Sequence, residues 1–334
     1  MESGCKFIFN PEHDLCLASG DVNFIPPATA VRFAQEGKWI EKFMRAQGTV
    51  ADSGPCSGCD SGSCSCSGKC AAQVVPWGWN AVLKRKLIGE GWPLEVLPSD
   101  EEIEFIRENS RREVAVELLE SLQGVGLVSA DYRIIARSLE EIESFLQNHN
   151  RVVLKAPLSG SGKGVRFVTG ELMETDRGWC RKTIQKQGAV IVEQRMEIQQ
   201  EFAMLFECAQ TAERVTFRGY SMFYTSNGAY KGNILASDEY IENRLAKWVP
   251  EEILHKLQAE IALWLHEKFH GRYTGFVGVD MFICEDGLLN PAMEINLRMT
   301  MGLIARNIYD FHREEYSLGE GTHCFEPERG ICEL

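Results

Sequence analysis

Near the end of the 334-residue chain, Glu294, Asn296 and Arg298 alternate with Ile295, Leu297 and Met299 in the stretch "AMEINLRMTMG". Strand alternation places a carboxylate, an amide and a guanidinium on one face. The preceding strand, "GFVGVDMFICE", is separated from it by Asp286, Gly287 and Leu288. With a three-residue loop Glu285 pairs with Leu289, and counting outward sets Asp280 opposite Glu294. A two-residue loop would flip that parity, and Pro291 marks a bulge. Carboxylates about 5 Å apart at an effective dielectric near 20 repel by roughly 3 kcal/mol, so the pair calls for a cation. The hard oxygens of Asp280, Glu294 and Asn296 suit Mg²⁺ or Mn²⁺ shared with phosphate, and Arg298 suits a bound anion. The same alternation would equally serve as the solvated outer face of an edge hairpin.

A second group of residues lies in "VVLKAPLSGSGKGVRFV". A strand carrying Lys155 runs into Ser159, Gly160, Ser161, Gly162, Lys163 and Gly164, and a second strand follows. Closely spaced glycines let backbone N–H groups approach an anion, and Lys155 and Lys163 add charge. A Walker loop is excluded by Pro157 and Gly164, and the dinucleotide fingerprint by Val165. The alternative use of this segment is an exposed flexible hairpin. Carboxylates at two apolar strand ends, Glu193 and Glu201, complete the candidates.

The elements that must position these groups follow from periodicity and punctuation. Residues 1–100 read as short strands ("KFIFN", "AQVVPW", "PLEVLP") alternating with helices, a small Rossmann-like α/β unit. "SDEEIEFIRENSRREVAVELLESL" is strongly helical with Ser99 or Asp100 as N-cap, and "SLEEIESFLQNH" is a second amphipathic helix. From 151 to 235 the pattern is β-rich, with a hairpin turn at Ser226-Asn227-Gly228. A long helix, "PEEILHKLQAEIALWLHEKFH", precedes the closing strands.

Composition narrows the function classes. With 35 basic and 48 acidic residues the net charge is −13, which disfavours nucleic acid and anionic membrane as partners. The apolar run at Phe7–Phe9 is too short for a signal peptide, and no stretch approaches the roughly 20 apolar residues of a membrane helix, so a cytoplasmic protein with reduced thiols is expected. Cys56, Cys59, Cys64, Cys66 and Cys70 sit in a Gly/Ser-rich insertion over about 51–72. A flexible segment is the expectation there, with capture of a soft ion such as zinc or copper(I) as the alternative.

Taken in this order, these segments resemble the ATP-grasp superfamily over roughly residues 100–310, with "GVDMF" paired to "EINLR" as the best motif. The resemblance implies a first subdomain at 101–190, a second at 191–334, ATP between them, and a pre-ATP-grasp-like domain at 1–100. It implies that Lys155 contacts ATP phosphate and the adenine region and that Ser159 to Gly164 covers the phosphates. Glu193, Gln194 and Met196 would border adenine and ribose, Glu201 the ribose. Asp280, Glu294 and Asn296 would hold the metal, Asp280 standing where many members have Glu, and Arg298 would face phosphate or an acyl intermediate. In place of a usual lysine on the first helix stands Arg111 or Arg112, of which Arg111 is taken here; arginine is not equivalent to lysine. Asn10, His13 and Asp14 would line a substrate pocket or simply cap a turn. The implied activity is ATP- and Mg²⁺-dependent joining of a small-molecule carboxylate to an amine through an acyl phosphate. The alternatives are a small-molecule kinase and a non-catalytic nucleotide- or metal-binding protein.

Overall fold

The computed structural model describes residues 5–44, 73–127, 132–160, 164–209, 214–226 and 229–334. The cysteine-rich insertion, Ser161, Gly162 and Lys163, and the turn residues Asn227 and Gly228 lie outside the described residues.

Among the described residues the strands form three sheets. β1 (Cys5–Ile8) and β2 (Gln73–Pro76) pair in parallel, with the helices α1 (His13–Ser19) and α2 (Ala28–Glu36) and a 3-10 turn, Gly37–Phe43, lying between them in sequence. The third strand expected in "PLEVLP" is instead a 3-10 turn, Leu94–Val96, set between Pro93 and Pro98. Prolines at both ends lack the N–H groups a ladder needs and leave too little chain for a strand. α3 (Ala81–Gly89) precedes this turn.

The helical stretch that follows is two helices, α4 (Asp100–Asn109) and α5 (Arg112–Gly124). α4 opens with a reciprocal box in which Ser99 Oγ accepts from Glu102 N–H and Glu102 accepts from Ser99 N–H. It ends where Ser110 Oγ donates back to Ile106 O at 2.7 Å. Arg111 is extended, with φ −74° and ψ 143°, and α5 starts afresh one residue later.

A four-stranded antiparallel sheet in the order β3-β6-β4-β5 contains β3 (Arg133–Ala136), β4 (Arg151–Lys155), β5 (Val165–Thr169) and β6 (Val190–Gln194). α6 (Leu139–Asn148) and α7 (Glu174–Gln187) pack on it through Ile142, Leu146 and Cys180 against Val152, Leu154 and Val192. α7 went unread in the sequence because its apolar residues are few. A seven-stranded sheet follows in the order β11-β10-β7-β8-β9-β12-β13. Its strands are β7 (Ile198–Cys208), β8 (Thr216–Ser226), β9 (Ala229–Leu235), β10 (Gly275–Cys284), β11 (Leu289–Asn296), β12 (His323–Glu326) and β13 (Gly330–Glu333).

One face of this sheet buries Phe202, Met204 and Phe206 against α5, α8 (Asp238–Leu245) and the long α9 (Glu251–Phe269). The other face packs Ala203 and Leu205 against α10 (Met301–His312) together with Phe9, Phe43 and Trp77. The N-terminal aromatic residues therefore share a core with the large sheet and are not a separate nucleus. Among the described residues no helix is long and apolar enough to cross a membrane.

Candidate functional site

β10 and β11 pair antiparallel, and Asp280 stands opposite Glu294, with Gly278 opposite Asn296. The route to that register differs from the sequence count. Ile283 pairs with Leu289, so the connection spans 284–288, closed by Cys284 N–H donating to Leu288 O at 2.8 Å. A bulge then sets Met281 against Pro291, Ala292 and Met293 and restores the pairing. Pro291 cannot donate to a ladder, and Asn290 Oδ1 accepts Ala292 N–H at 3.1 Å within the bulge.

Burial first, and the facing Glu294 second, push the Asp280 carboxyl up to about 7. Asn296 Nδ2 donates to Asp280 Oδ2 at 3.0 Å, and Arg298 Nη2 donates to Asn296 Oδ1 at 2.9 Å. Glu294 Oε1 is met by Arg112 Nη2 at 3.0 Å. Among the described residues Asp280 has no ion-pair partner. Two facing carboxylates, one of them costly to ionise, are donors that a hard divalent cation would satisfy, and a turn of the Asn296 amide, whose Nδ2 now faces Asp280, would add its oxygen.

Arg298 is held from across the chain by Asp14, to which Nε and Nη2 donate at 2.9 Å each. Burial alone would raise the Asp14 carboxyl, but the Arg298 guanidinium outweighs it and keeps the group below its ordinary value. Asp14, Ser159, Glu294, Asn296 and Arg298 line one cavity. Beyond Arg298 lies a second cavity of about 280 Å³, bordered by Trp77, Trp79, Tyr273 and Phe276.

The small sheet supplies the opposite wall. Glu193 on β6 pairs in register with Arg133 on β3 and with Val153 on β4. Lys155 Nζ reaches Glu193 Oε2 at 2.7 Å, and Arg133 Nε lies 2.9 Å from Glu193 Oε1 as an ion pair. Burial would raise Glu193, but Arg133 and Lys155 hold it below the usual carboxylate range. Arg133 Nη1 also donates to Ala292 O at 2.8 Å, tying the small sheet to β11. Glu193 is thus engaged by its own chain, Gln194 is exposed, and Met196 packs against the main core. Glu201 accepts from Thr225 Oγ1 at 2.7 Å, and burial raises its carboxyl.

The glycine-rich loop leaves β4 and returns in β5. At its base Ala156 N–H donates to Gly164 O at 2.8 Å, and a Cβ on Gly164 would come within 2.2 Å of Ser159 Cβ. The break between α4 and α5 decides which arginine faces it. Arg111 points away, its Nη2 donating to Glu113 and to Gln187 O, each at 2.6 Å. Arg112 Nη1 donates to Ala156 O at 2.6 Å and to Ser159 Oγ at 2.8 Å while Nη2 holds Glu294. Arg112, and not the Arg111 taken from the sequence, is therefore the arginine beside Glu294 and Ser159. Arg133 was not read from the sequence either, although a single arginine opening the apolar run "RIIA" was the available signal.

His13 beside Asp14 is buried and neutral. Asn80 Oδ1 accepts Leu83 N–H at 2.9 Å, which turns the Asn80 amide toward His13 Nδ1 at 3.3 Å and makes that nitrogen an acceptor. Burial lowers the imidazole to about 4. The unfolded chain binds that proton near 6.5, so stability from this group is intact above pH 6.5 and is lost as pH falls toward 4. Between pH 7 and pH 5 the loss is about 2 kcal/mol. Urea midpoints at the two pH values should show it, and His13→Gln should remove this part of the drop. An equal drop in both proteins would contradict the assignment.

No protein-family model matches the sequence, and no curated protein matches it. Among solved structures, the biotin carboxylase domain of Hydrogenobacter thermophilus 2-oxoglutarate carboxylase, in complex with MgADP, ADP and bicarbonate, aligns with 71% of this chain and 53% of its own. The TM-score is 0.50 at 14% identity. The chain has the ATP-grasp fold.

N5-carboxyaminoimidazole synthetase from Staphylococcus aureus, complexed with ADP, aligns over 72% of this chain and 56% of its own, with TM-score 0.44 and 16% identity. D-alanyl-alanine synthetase A from Vibrio cholerae aligns over 75% and 73%, with TM-score 0.45 and 14% identity. This chain spans about half the length of the first two. The groups just described lie where the four-stranded sheet meets β11 of the seven-stranded sheet, joined there by Arg133 and Ala292.

Proposed function

We propose that the chain is an ATP-dependent carboxylate-amine ligase, with nucleotide held between the halves at 101–190 and 191–334. The observation that carries this reading is Asp280 facing Glu294 across β10 and β11, with Arg112 and Arg298 beside them. Asp280, Glu294 and Asn296 would hold Mg²⁺ or Mn²⁺, which when bound supplies charge neutralisation for phosphate oxygens. Lys155 and Arg112 offer positive charge from the opposite wall, and Arg112 links the glycine-rich loop to Glu294. Binding phosphate there would draw Lys155 from Glu193, which keeps Arg133 as its counter-ion.

In the first step a substrate carboxylate oxygen attacks the γ-phosphorus, the bond to the bridging oxygen breaks, and ADP leaves. In the second the amine nitrogen attacks the acyl carbon, phosphate leaves, and the amine proton passes to solvent. Arg298, oriented by Asp14, is placed to stabilise charge on the acyl phosphate. The cavity of about 280 Å³ beyond Arg298 offers space for an organic substrate. No nucleophilic side chain is required.

A panel of small carboxylic acids incubated with ATP, Mg²⁺ and hydroxylamine tests the reading without knowing the amine. Hydroxamate should form in equal amount to ADP. A stable phosphorylated product that hydroxylamine does not intercept would instead mark a kinase. In the same assay Arg112→Ala should raise KM for ATP by roughly tenfold or more, through loss of charge-assisted contacts at the loop. Arg111→Ala, outside the cleft, should leave KM within about threefold. Reversed effects would return the role to Arg111.

A further inference from the structure

At the far end of the seven-stranded sheet, six strand steps and about 30 Å from β11, the closing hairpin gathers two thiols and a carboxylate. Cys324 and Glu326 are two residues apart on β12 and so share a face. Cys324 pairs in register with Cys332 on β13, which brings the second sulfur to that face. The sulfurs are 3.2 Å apart, and one donor atom from each of Cys324, Glu326 and Cys332 falls within 4.8 Å of the others. Cys324 is buried and Cys332 half-buried.

The carboxylate is positioned from two strands away. Tyr224 on β8 reaches across β9 and donates from its hydroxyl to Glu326 Oε1 at 2.8 Å. It crosses at Gly232, where a Cβ would come within 2.7 Å of Phe325 O, 2.8 Å of the Tyr224 hydroxyl and 3.0 Å of Glu326 Cγ. Only a missing side chain leaves that path open. Arg329 Nη1 sits 3.2 Å from the other oxygen, Glu326 Oε2.

We infer that Cys324, Cys332 and Glu326 form a zinc-binding site at the edge of the large sheet, with Tyr224 positioning the carboxylate. Geometry decides between a chelate and a disulfide. Two thiolates on one tetrahedral zinc, with Zn–S near 2.3 Å, stand about 3.8 Å apart, whereas a disulfide needs about 2.0 Å. The observed 3.2 Å must open by about 0.6 Å for zinc but close by about 1.2 Å for a disulfide. The carboxylate chooses the ion: copper(I) prefers sulfur alone, while zinc accepts two thiolates, a carboxylate and a water. On binding, each thiol releases its proton to solvent, and the ion clips β13, which otherwise pairs with β12 alone, to the sheet.

The test uses the full chain with Cys56, Cys59, Cys64, Cys66 and Cys70 replaced by serine, so that the insertion contributes no thiol. Under reducing conditions with zinc chloride, this protein should retain one zinc per chain after gel filtration. With cobalt(II) chloride it should show a near-ultraviolet sulfur-to-cobalt charge-transfer band. Cys324→Ser and, separately, Cys332→Ser should abolish both signals while leaving the circular dichroism unchanged. Tyr224→Phe should weaken zinc affinity roughly 10- to 100-fold, as loss of a ligand's orienting partner does. Absence of zinc in the five-serine protein, or a cobalt band that survives Cys324→Ser, would overturn the site. So would a mass two hydrogens lower, showing the pair oxidised in the presence of reductant. None of these readouts depends on nucleotide turnover.

Discussion

Glu294→Gln should lower ATP-dependent turnover by roughly three orders of magnitude and leave the fold intact, the scale on which removal of a group stabilising transferred charge acts. Glutamine matches the side chain in size and keeps one oxygen for Arg112, which holds Glu294 Oε1 at 3.0 Å. What it removes is one of the two facing negative charges that would neutralise and retain the cation. The loss should appear in kcat, because the carboxylate acts where phosphoryl charge is redistributed and not in docking the organic substrate. Steady-state ADP release at saturating ATP checks this, with circular dichroism to confirm folding. Unchanged turnover would remove Glu294 from the metal site.

Asp280→Asn should produce the opposite pair of effects on stability and function. Asp280 is half-buried, faces Glu294 and has no ion-pair partner among the described residues, and desolvation together with the facing charge pushes its carboxyl up to about 7. Between about pH 4 and 7 the folded state binds a proton that the unfolded state has lost. Stability therefore falls as pH rises through that window, and above 7 the whole penalty is present. At pH 8 the metal-free Asp280→Asn protein should be more stable than the parent by about 2–4 kcal/mol, the upper figure being a full shift of some three pH units. Asparagine can still accept the Asn296 amide that now bonds Asp280 Oδ2 at 3.0 Å. Turnover should be lost, and Mg²⁺ with ADP should raise Tm in the parent but not in the variant. A destabilised variant in metal-free buffer would show that Asp280 is a structural carboxylate.

How much of this was legible in the sequence differs from residue to residue. The facing of Asp280 and Glu294 was reached by a count whose two errors cancel: the loop is two residues longer than assumed, and the bulge at Pro291 gives those residues back. Period-two alternation survives such an error because it fixes parity, whereas loop length depends on turn bonds such as Cys284 N–H to Leu288 O. Which of Arg111 and Arg112 stands beside Glu294 was not legible, because it hangs on one serine. Ser110 ends α4 through its hydroxyl, and the extended residue that results turns Arg111 outward.

Helix α7 was missed for a different reason. The sequence of Glu174–Gln187 is polar over most of its length, and only tertiary packing of a few residues such as Cys180 and Thr183 makes it a helix. The grip of Asp14 on Arg298 joins residues 284 positions apart, and nothing local foretells it. The Glu193 cluster was legible as a carboxylate at a strand end but not as the centre of an ion trio, since Arg133 arrives from a neighbouring strand through the register of β3 and β6. The ATP-grasp resemblance was readable because order and spacing of motifs persist where each motif alone is weak.

In the proposed function a nucleotide binds through a divalent cation held by Asp280, Glu294 and Asn296. Calorimetric titration of the full chain with ADP, in the presence and absence of Mg²⁺, tests it most directly. One ADP per chain is expected, bound at least about tenfold more tightly with Mg²⁺, with loss of that difference in Glu294→Gln. No heat of ADP binding, or binding whose strength ignores both Mg²⁺ and Glu294, would contradict it.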